Sequence, residues 1–254
     1  MRASRAALLA LITSALAFAA CGGKGKIGGD DGNGADGGSN GPPDACVGLQ
    51  CMEVNCQGQG IGTTRLSGTV YAPNGTLPLY NVNVYVPNAD PGPIGAGLEC
   101  DRCSDQLPGS PVVKTITDEL GHFELDNVPV APNIPVVVTV GKWRRQFTVA
   151  TVNQCMDNPV PATSTTLPKT RSEGDMPNIA ISTGSADALE CLVRKLGIED
   201  KEISNQAGGG KVQLFAGNGT NSFASTFANT GNFTKSENAL WDSLGCCPVP
   251  LPGL

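Results

Sequence analysis

Histidine is nearly absent from this 254-residue chain, with His122 its only example. One imidazole cannot supply a multi-histidine metal site, and it makes any Ser-His or Cys-His catalysis depend on a single position. Charged residues are scarce at 16% and aromatics amount to 5%, too few long charged side chains to coat a helical bundle. A basic surplus is missing too. The net charge is −6 and the pI about 4.8, which argues against holding nucleic acid or an anionic membrane by bulk electrostatics. No apolar run reaches the roughly 20 residues of a comfortable spanning helix. What is plentiful is glycine and proline, 33 and 19 residues, about a fifth of the chain against roughly 12% in average usage. Hydrophobics at 40% still allow a buried core.

The first segment reads as an address. Arg2 and Arg5 precede an uncharged run from Ala6 to Ala20, the positive and apolar regions of an export signal expected to be removed. Phe18-Ala19-Ala20-Cys21 resembles a bacterial lipobox, apart from Phe18 where an aliphatic is usual. That resemblance implies a diacylglyceryl group on Cys21 and a membrane-anchored N-terminus. The competing reading is plain cleavage at Ala17-Phe18-Ala19, which leaves a soluble periplasmic or secreted protein. The next stretch, 22 to 43, has 10 Gly among its 22 residues and reads as a flexible tether reaching about 25 Å. Asp30, Asp31 and Asp36 lie in it, but Ala35 breaks the spacing of a calcium loop.

Ten cysteines in an exported chain point to disulfides. Cys46, Cys51, Cys56, Cys100, Cys103 and Cys155 are the candidates, and six cysteines allow 15 pairings that spacing does not separate. The even gaps of Cys46, Cys51 and Cys56 suggest a small cross-linked knot that clips the tether onto a domain. Cys100-Asp101-Arg102-Cys103 lies in a Pro/Gly-rich loop (87 to 111) without the second pair of a zinc knuckle or the strand-to-helix setting of a redox site. A structural disulfide is the favoured reading there. Cys191, Cys246 and Cys247 find no role.

From 65 to 149 the apolar residues alternate, which predicts a mainly β fold. Strands are expected at Leu66–Tyr71, Tyr80–Val86, Val112–Thr117, His122–Leu125, Ile134–Val140 and Trp143–Val149, with turns at Ala72–Gly75 and Asp118–Gly121. Val82, Val84 and Val86 share one face, Ile134–Val140 reads as a central strand covered on both faces, and Arg144 and Arg145 fall on opposite faces of an expected edge strand. His122 points outward. Six short strands make a disulfide-stapled sandwich or small barrel.

These residues also resemble a family. Leu66-Ser67-Gly68-Thr69-Val70, Gly75, Pro78-Leu79, Val82 and Val84, Thr117-Asp118 with Gly121, Phe123, Leu125 and Val128-Pro129, then Val136, Val138 and Val140 are similar to the carboxypeptidase regulatory-like domain. The resemblance covers about a third of the chain and departs at the Cys-bearing insertion of 87 to 111. It implies a transthyretin-like or CnaB-like sandwich that is a non-catalytic spacer or docking module. One histidine cannot furnish the zinc carboxypeptidase that sometimes accompanies it. The whole arrangement resembles bacterial envelope lipoproteins.

The expected organisation is a signal (1–20), an anchor and tether (21–43), a Cys-rich segment (44–64), a sandwich (65–155), a Pro/Thr-rich linker (156–176) and a partial α/β segment (177–254). In the last, strands are expected at Asn178–Ser182 and Lys211–Ala216. A helix from Ala186 to Leu196 carries a stripe of Leu189, Leu192, Val193 and Leu196. Thr234 and Glu237 form a capping box opening a second helix through Leu244. Two strands do not bury such a sheet, so completion by another chain or a truncated reading frame is expected, the latter favoured.

Other motifs fail on context. Gly37-Gly38-Ser39-Asn40-Gly41 lies in the tether without the strand and helix of a nucleophile elbow. Gly217 to Ser222 lacks the third glycine of a dinucleotide loop, and Gly208-Gly209-Gly210-Lys211 lacks most of a phosphate loop. No catalytic residue, metal or cofactor is expected. The expected function is that of a non-catalytic, lipid-anchored envelope protein, at the outer membrane or cell surface, acting as a spacer or as a module for an envelope protein or glycan. The alternative is the N-terminal part of a larger secreted enzyme whose α/β catalytic domain is cut short.

Overall fold

The computed structural model describes residues 46–95, 106–184, 189–205 and 208–217. Alternation puts seven strands into two facing sheets. The first has the order β4-β1-β7, from β1 (Arg65–Thr69), β4 (His122–Leu125) and β7 (Asp157–Pro159); the second has the order β3-β2-β5-β6, from β2 (Asn83–Pro87), β3 (Pro111–Ile116), β5 (Ile134–Val140) and β6 (Trp143–Val149). All neighbours are antiparallel except β1 and β7. The fold is thus a mainly β sandwich. Between the sheets lie Leu66, Val70, Phe123 and Leu125 from one side and Val82, Val84, Val86, Ile134, Val136 and Val138 from the other, all buried. Gly68 faces Phe123 across the ladder, and a Cβ there would come 2.9 Å from the ring, so the aromatic fills the space that the glycine leaves.

The Asp118–Gly121 turn forms by local bonding. Asp118 Oδ1 accepts from the Leu120 and His122 N–H groups, the Gly121 N–H donates to the Asp118 carbonyl, and Gly121 has φ +75°. A Cβ there would come 2.9 Å from the Val70 carbonyl oxygen, so glycine answers both the left-handed backbone and the close approach. β2 starts three residues later than expected. Asn81 is left-handed at φ +58°, and the Thr117 hydroxyl takes the Val82 N–H and donates to the Leu79 carbonyl, which makes a turn of what reads as strand.

Alternation along β2 carries a second surprise, because both of its faces are covered. Tyr85, on the face opposite Val84, is fully buried, as are Val137 and most of Arg144. The segment 88–95 accounts for part of that cover: Arg144 Nη2 donates to the Gly92 carbonyl at 2.7 Å and Lys142 Nζ to that of Gly95 at 3.0 Å. β6 is an edge strand as expected, but Arg144 is not the solvated edge charge of the sequence reading. Its side chain is 4% exposed and salt-bridged to Asp175 at 2.7 Å, because a guanidinium taken out of water needs a counter-charge.

The expected linker 156–176 is instead part of the domain. β7 pairs with β1, Val160 and Leu167 enter the core, and the turn α1 (Ala162–Thr165) returns the Thr165 hydroxyl to the Thr69 carbonyl at 2.6 Å. Threonine and proline make this stretch look like a spacer, yet the Thr165 hydroxyl and the Leu167 N–H bond back to the Thr69 and Tyr71 carbonyls at the sandwich end. Trp143 Nε1 likewise donates to the Pro168 carbonyl.

Beyond it stands a small parallel sheet, order β8-β10-β9, from β8 (Ile179–Thr183), β9 (Ile203–Ser204) and β10 (Val212–Ala216). The described residues hold three strands here, not two; β9 is two residues long and leaves no alternation to read. Its core holds Met176, Ile181, Val193, Ile198, Ile203, Val212 and Leu214. Among the described side chains of the helix α2 (Leu189–Lys195), Val193 is the buried one: Leu189 and Leu192 are 47% and 51% exposed, which corrects the expected stripe. Gly197 ends it at φ +95° and presses on the Asn74 backbone, while Asn74 Nδ2 donates to the Lys195 carbonyl. The expected helix at 234–244 lies outside the described residues.

Glu202, with its side chain 3% exposed, ties this unit to the segment after α1. Burial alone raises its carboxyl pKa; hydrogen bonds from the Arg171 guanidinium and N–H, the Arg171 charge and the Lys211 N–H outweigh that and hold it below the ordinary carboxylate value. The stabilisation is therefore complete above the unfolded value near 4.3 and is lost as pH falls through the lower folded value. Arg171→Ala is expected to cost about 1–3 kcal/mol by stranding a buried acceptor, and Glu202→Gln to flatten the acid limb of stability below about pH 4; urea unfolding at pH 7 and pH 3 checks both. Tyr85 Oη has no hydrogen-bond partner among the described residues. Tyr85→Phe is therefore expected to leave the melting temperature unchanged or raise it, and a clear fall would reveal a bond to the hydroxyl.

Candidate functional site

The cysteines place the N-terminal segment. Cys46 is bridged to Cys51 around a 3₁₀ turn at Gly48–Met52, and Cys56 to Cys155, 99 residues away, beyond the end of β6. Both sulfurs of the second bridge are buried, and Cys155 takes a left-handed φ of +57°. Asn88 fastens the turn further: its Oδ1 accepts from the Leu49 N–H at 2.8 Å and its Nδ2 donates to the Val47 carbonyl at 3.0 Å. Leu49 packs on the sandwich core and the Val130 N–H donates to the Met52 carbonyl. The chain thus enters the sandwich through a strap bonded to it covalently and by hydrogen bonds. Cys21, Cys100, Cys103, Cys246 and Cys247 lie outside the described residues. Among the described residues, Cys191 is the cysteine left as a thiol, exposed on α2.

His122 stands outward on β4, 3.8 Å from Asp118. β4 is the edge of the first sheet farthest from β7. Among the described residues no group of three or more His, Cys, Asp or Glu is placed to hold a metal ion. The buried charges have structural tasks: Arg144 holds Asp175 and Glu202 holds Arg171.

The described residues also form a cleft of about 350 Å³ on the flank of the sandwich, between the end of β6 and β7. Phe147 and Val149 line one wall, Val160 and Pro161 the other, and Asn153 and Asp157 add polar groups. Asn158 is saturated: its Oδ1 takes the Asn153 N–H and its Nδ2 donates to the Arg65, Asn153 and Met156 carbonyls. Asp157 accepts from the Ser67 hydroxyl at 2.9 Å. The cleft therefore mixes apolar surface from Phe147, Val149, Val160 and Pro161 with polar groups from Thr148, Thr151, Asn153, Asp157 and Ser164. Its residues were legible as strand in Phe147 and Val149, but β7 was hidden in the apparent linker, so the cleft was not.

Removing the long-range bridge by Cys56→Ser with Cys155→Ser is expected to cost about 4–5 kcal/mol, since closing a loop of roughly 100 residues restrains the unfolded chain most. Cys46→Ser with Cys51→Ser should cost about 2 kcal/mol for its short loop. Chemical denaturation of the two double variants ranks them, and a reversed order would show that the strap is held mainly by Asn88 and Leu49.

No protein-family model matches the chain, and no curated protein matches it. Solved structures are similar over part of it, among them two of one type of complex. One is a C-terminal interface mutant of the type II cohesin–X-dockerin complex from Acetivibrio cellulolyticus, 16% identical over 41% of this chain and 56% of that one, with a TM-score of 0.25. The other is an N-terminal interface mutant of the same complex, 14% identical over 59% of this chain and 88% of that one, with a TM-score of 0.28. The chain spans 56% of the length of the first.

Proposed function

We propose that this chain is a non-catalytic envelope protein, tethered by a lipid on Cys21, whose sandwich serves as a spacer and protein-binding module. The observation that carries the reading is the Cys56–Cys155 bridge. Gly-rich residues lead from Cys21 to the strap, and the bridge fixes that strap to the sandwich, so a lipid on Cys21 would hold the domain by that one end. Disulfides belong to oxidising compartments, in keeping with the export signal before Cys21. Asp118, Gly121, Phe123 and Leu125 occupy the turn and inward positions that the carboxypeptidase regulatory-like resemblance implies, which supports a spacer or docking role over a catalytic one.

The intact mass of the membrane-extracted protein, before and after reduction and alkylation, tests the anchor. The expected species starts at Cys21, carries a diacylglyceryl group, is alkylated at Cys191 without reduction, and gains alkyl groups at Cys46, Cys51, Cys56 and Cys155 once reduced. A soluble species starting at Ala20 overturns the lipid anchor.

A further inference from the structure

We infer that the flank between β6 and β7 is a receptor groove in which an extended peptide adds as a strand to β6. This rests on the protein-binding reading above and gives that reading a site and a class of partner.

In an antiparallel strand the backbone N–H and C=O groups of one residue point to the same neighbour, and those of the next residue to the other. The Arg144 N–H and C=O bond to the Asp175 C=O and N–H, at 3.0 and 2.8 Å, so they face away from β5. Two and four residues further on, the groups of Gln146 and Thr148 face the same way. They have no backbone partner among the described residues, and both residues are exposed. The chain itself supplies one rung at this edge, Asp175, and does not extend it: the antiparallel sense sets residue 173 opposite Gln146, but the Glu173 N–H bonds the Thr170 carbonyl instead. A partner takes the rungs opposite Gln146 and Thr148.

The facing edge does not compete. β7 is three residues long, its Asn158 is turned toward β1, and Pro159 removes a donor from the open side. What β7 supplies is a wall. Alternate residues of a strand on β6 point into the cleft at Phe147, Val149, Val160 and Pro161, so they are apolar and best β-branched. Asp157 stands beside Arg65, which Glu124 and Asp126 already engage, so three carboxylates share one guanidinium there and favour a Lys or Arg at the end of the peptide nearest them. A second copy of this chain meets these demands less well. Two open residues per edge make a short intersubunit ladder, and a stable interface needs about 1,000 Å² or more. The partner chemistry is therefore an extended peptide with alternating apolar side chains and one basic residue, held by main-chain bonds in the manner of strand addition.

The test uses the 15N-labelled full chain and, as probe, the blocked hexapeptide acetyl-Lys-Thr-Val-Thr-Val-Thr-amide. On saturation the Gln146 and Thr148 amides are expected to exchange more slowly with solvent, with shifts concentrated at Phe147, Val149 and Val160; this readout needs no variant. Thr148→Pro removes one open donor without touching a β5 bond and should keep the fold while weakening the probe about tenfold. Thr148→Val should leave binding unchanged. The inference fails if millimolar probe protects neither amide, if a folded Thr148→Pro binds equally well, or if the amides are protected without probe in a concentration-dependent dimer. None of these results alters the mass that reads the lipid anchor, so the groove and the tether are judged separately.

Discussion

A guanidinium buried outside the core holds the parts of this protein together. Arg144 stands on the outer face of the four-stranded sheet, where an unpaired charge costs several kcal/mol. It is met by the Asp175 carboxylate and by the Gly92 carbonyl, while its own peptide group bonds that of Asp175. Three separate stretches are fixed by this one demand: the segment 88–95 lies over the sheet, residue 175 lies against the edge of β6, and the C-terminal sheet starts directly after it. Asp175 also determines where the edge of β6 stops being covered.

The sandwich itself is conventional in its energetics. Valine and isoleucine from β2 and β5 meet Leu66, Phe123 and Leu125 with almost no residual exposure, and burying such side chains contributes roughly 1.5–3 kcal/mol each. Specificity is left to smaller devices, among them Gly68 beneath Phe123 and the Asp118 turn. The strap is added to this body from outside. Cys56–Cys155 and Asn88 hold it at the end where β6 finishes, which is also the end where the cleft opens.

How much was legible follows from how local each signal is. Ile134–Val140 and Trp143–Val149 were read with their boundaries intact, because period-two patterns survive any tertiary arrangement. Tyr80–Val86 was read too long, since the left-handed Asn81 and the Thr117 hydroxyl act across 35 residues of sequence. The stretch 156–176 was misread because threonine and proline carry the same letters in a spacer and in a packed segment; only the positions of the Thr69 and Tyr71 carbonyls distinguish the two. α2 was read in place with its Gly197 stop, yet its apolar stripe is not what it buries.

The residues alone determined the mainly β fold, the turns at Gly75 and Gly121, the inward faces of β2 and β4, the central place of β5, and the expectation of disulfides, since these depend on alternation, backbone freedom and composition. Only the tertiary structure decided which cysteines pair, that Arg144 is buried, that β7 and β9 exist, and that the edge of β6 is open beside a cleft. Those features depend on groups far apart in the chain meeting to satisfy a charge, a thiol or a backbone bond, and nothing in the spacing of letters records who meets whom.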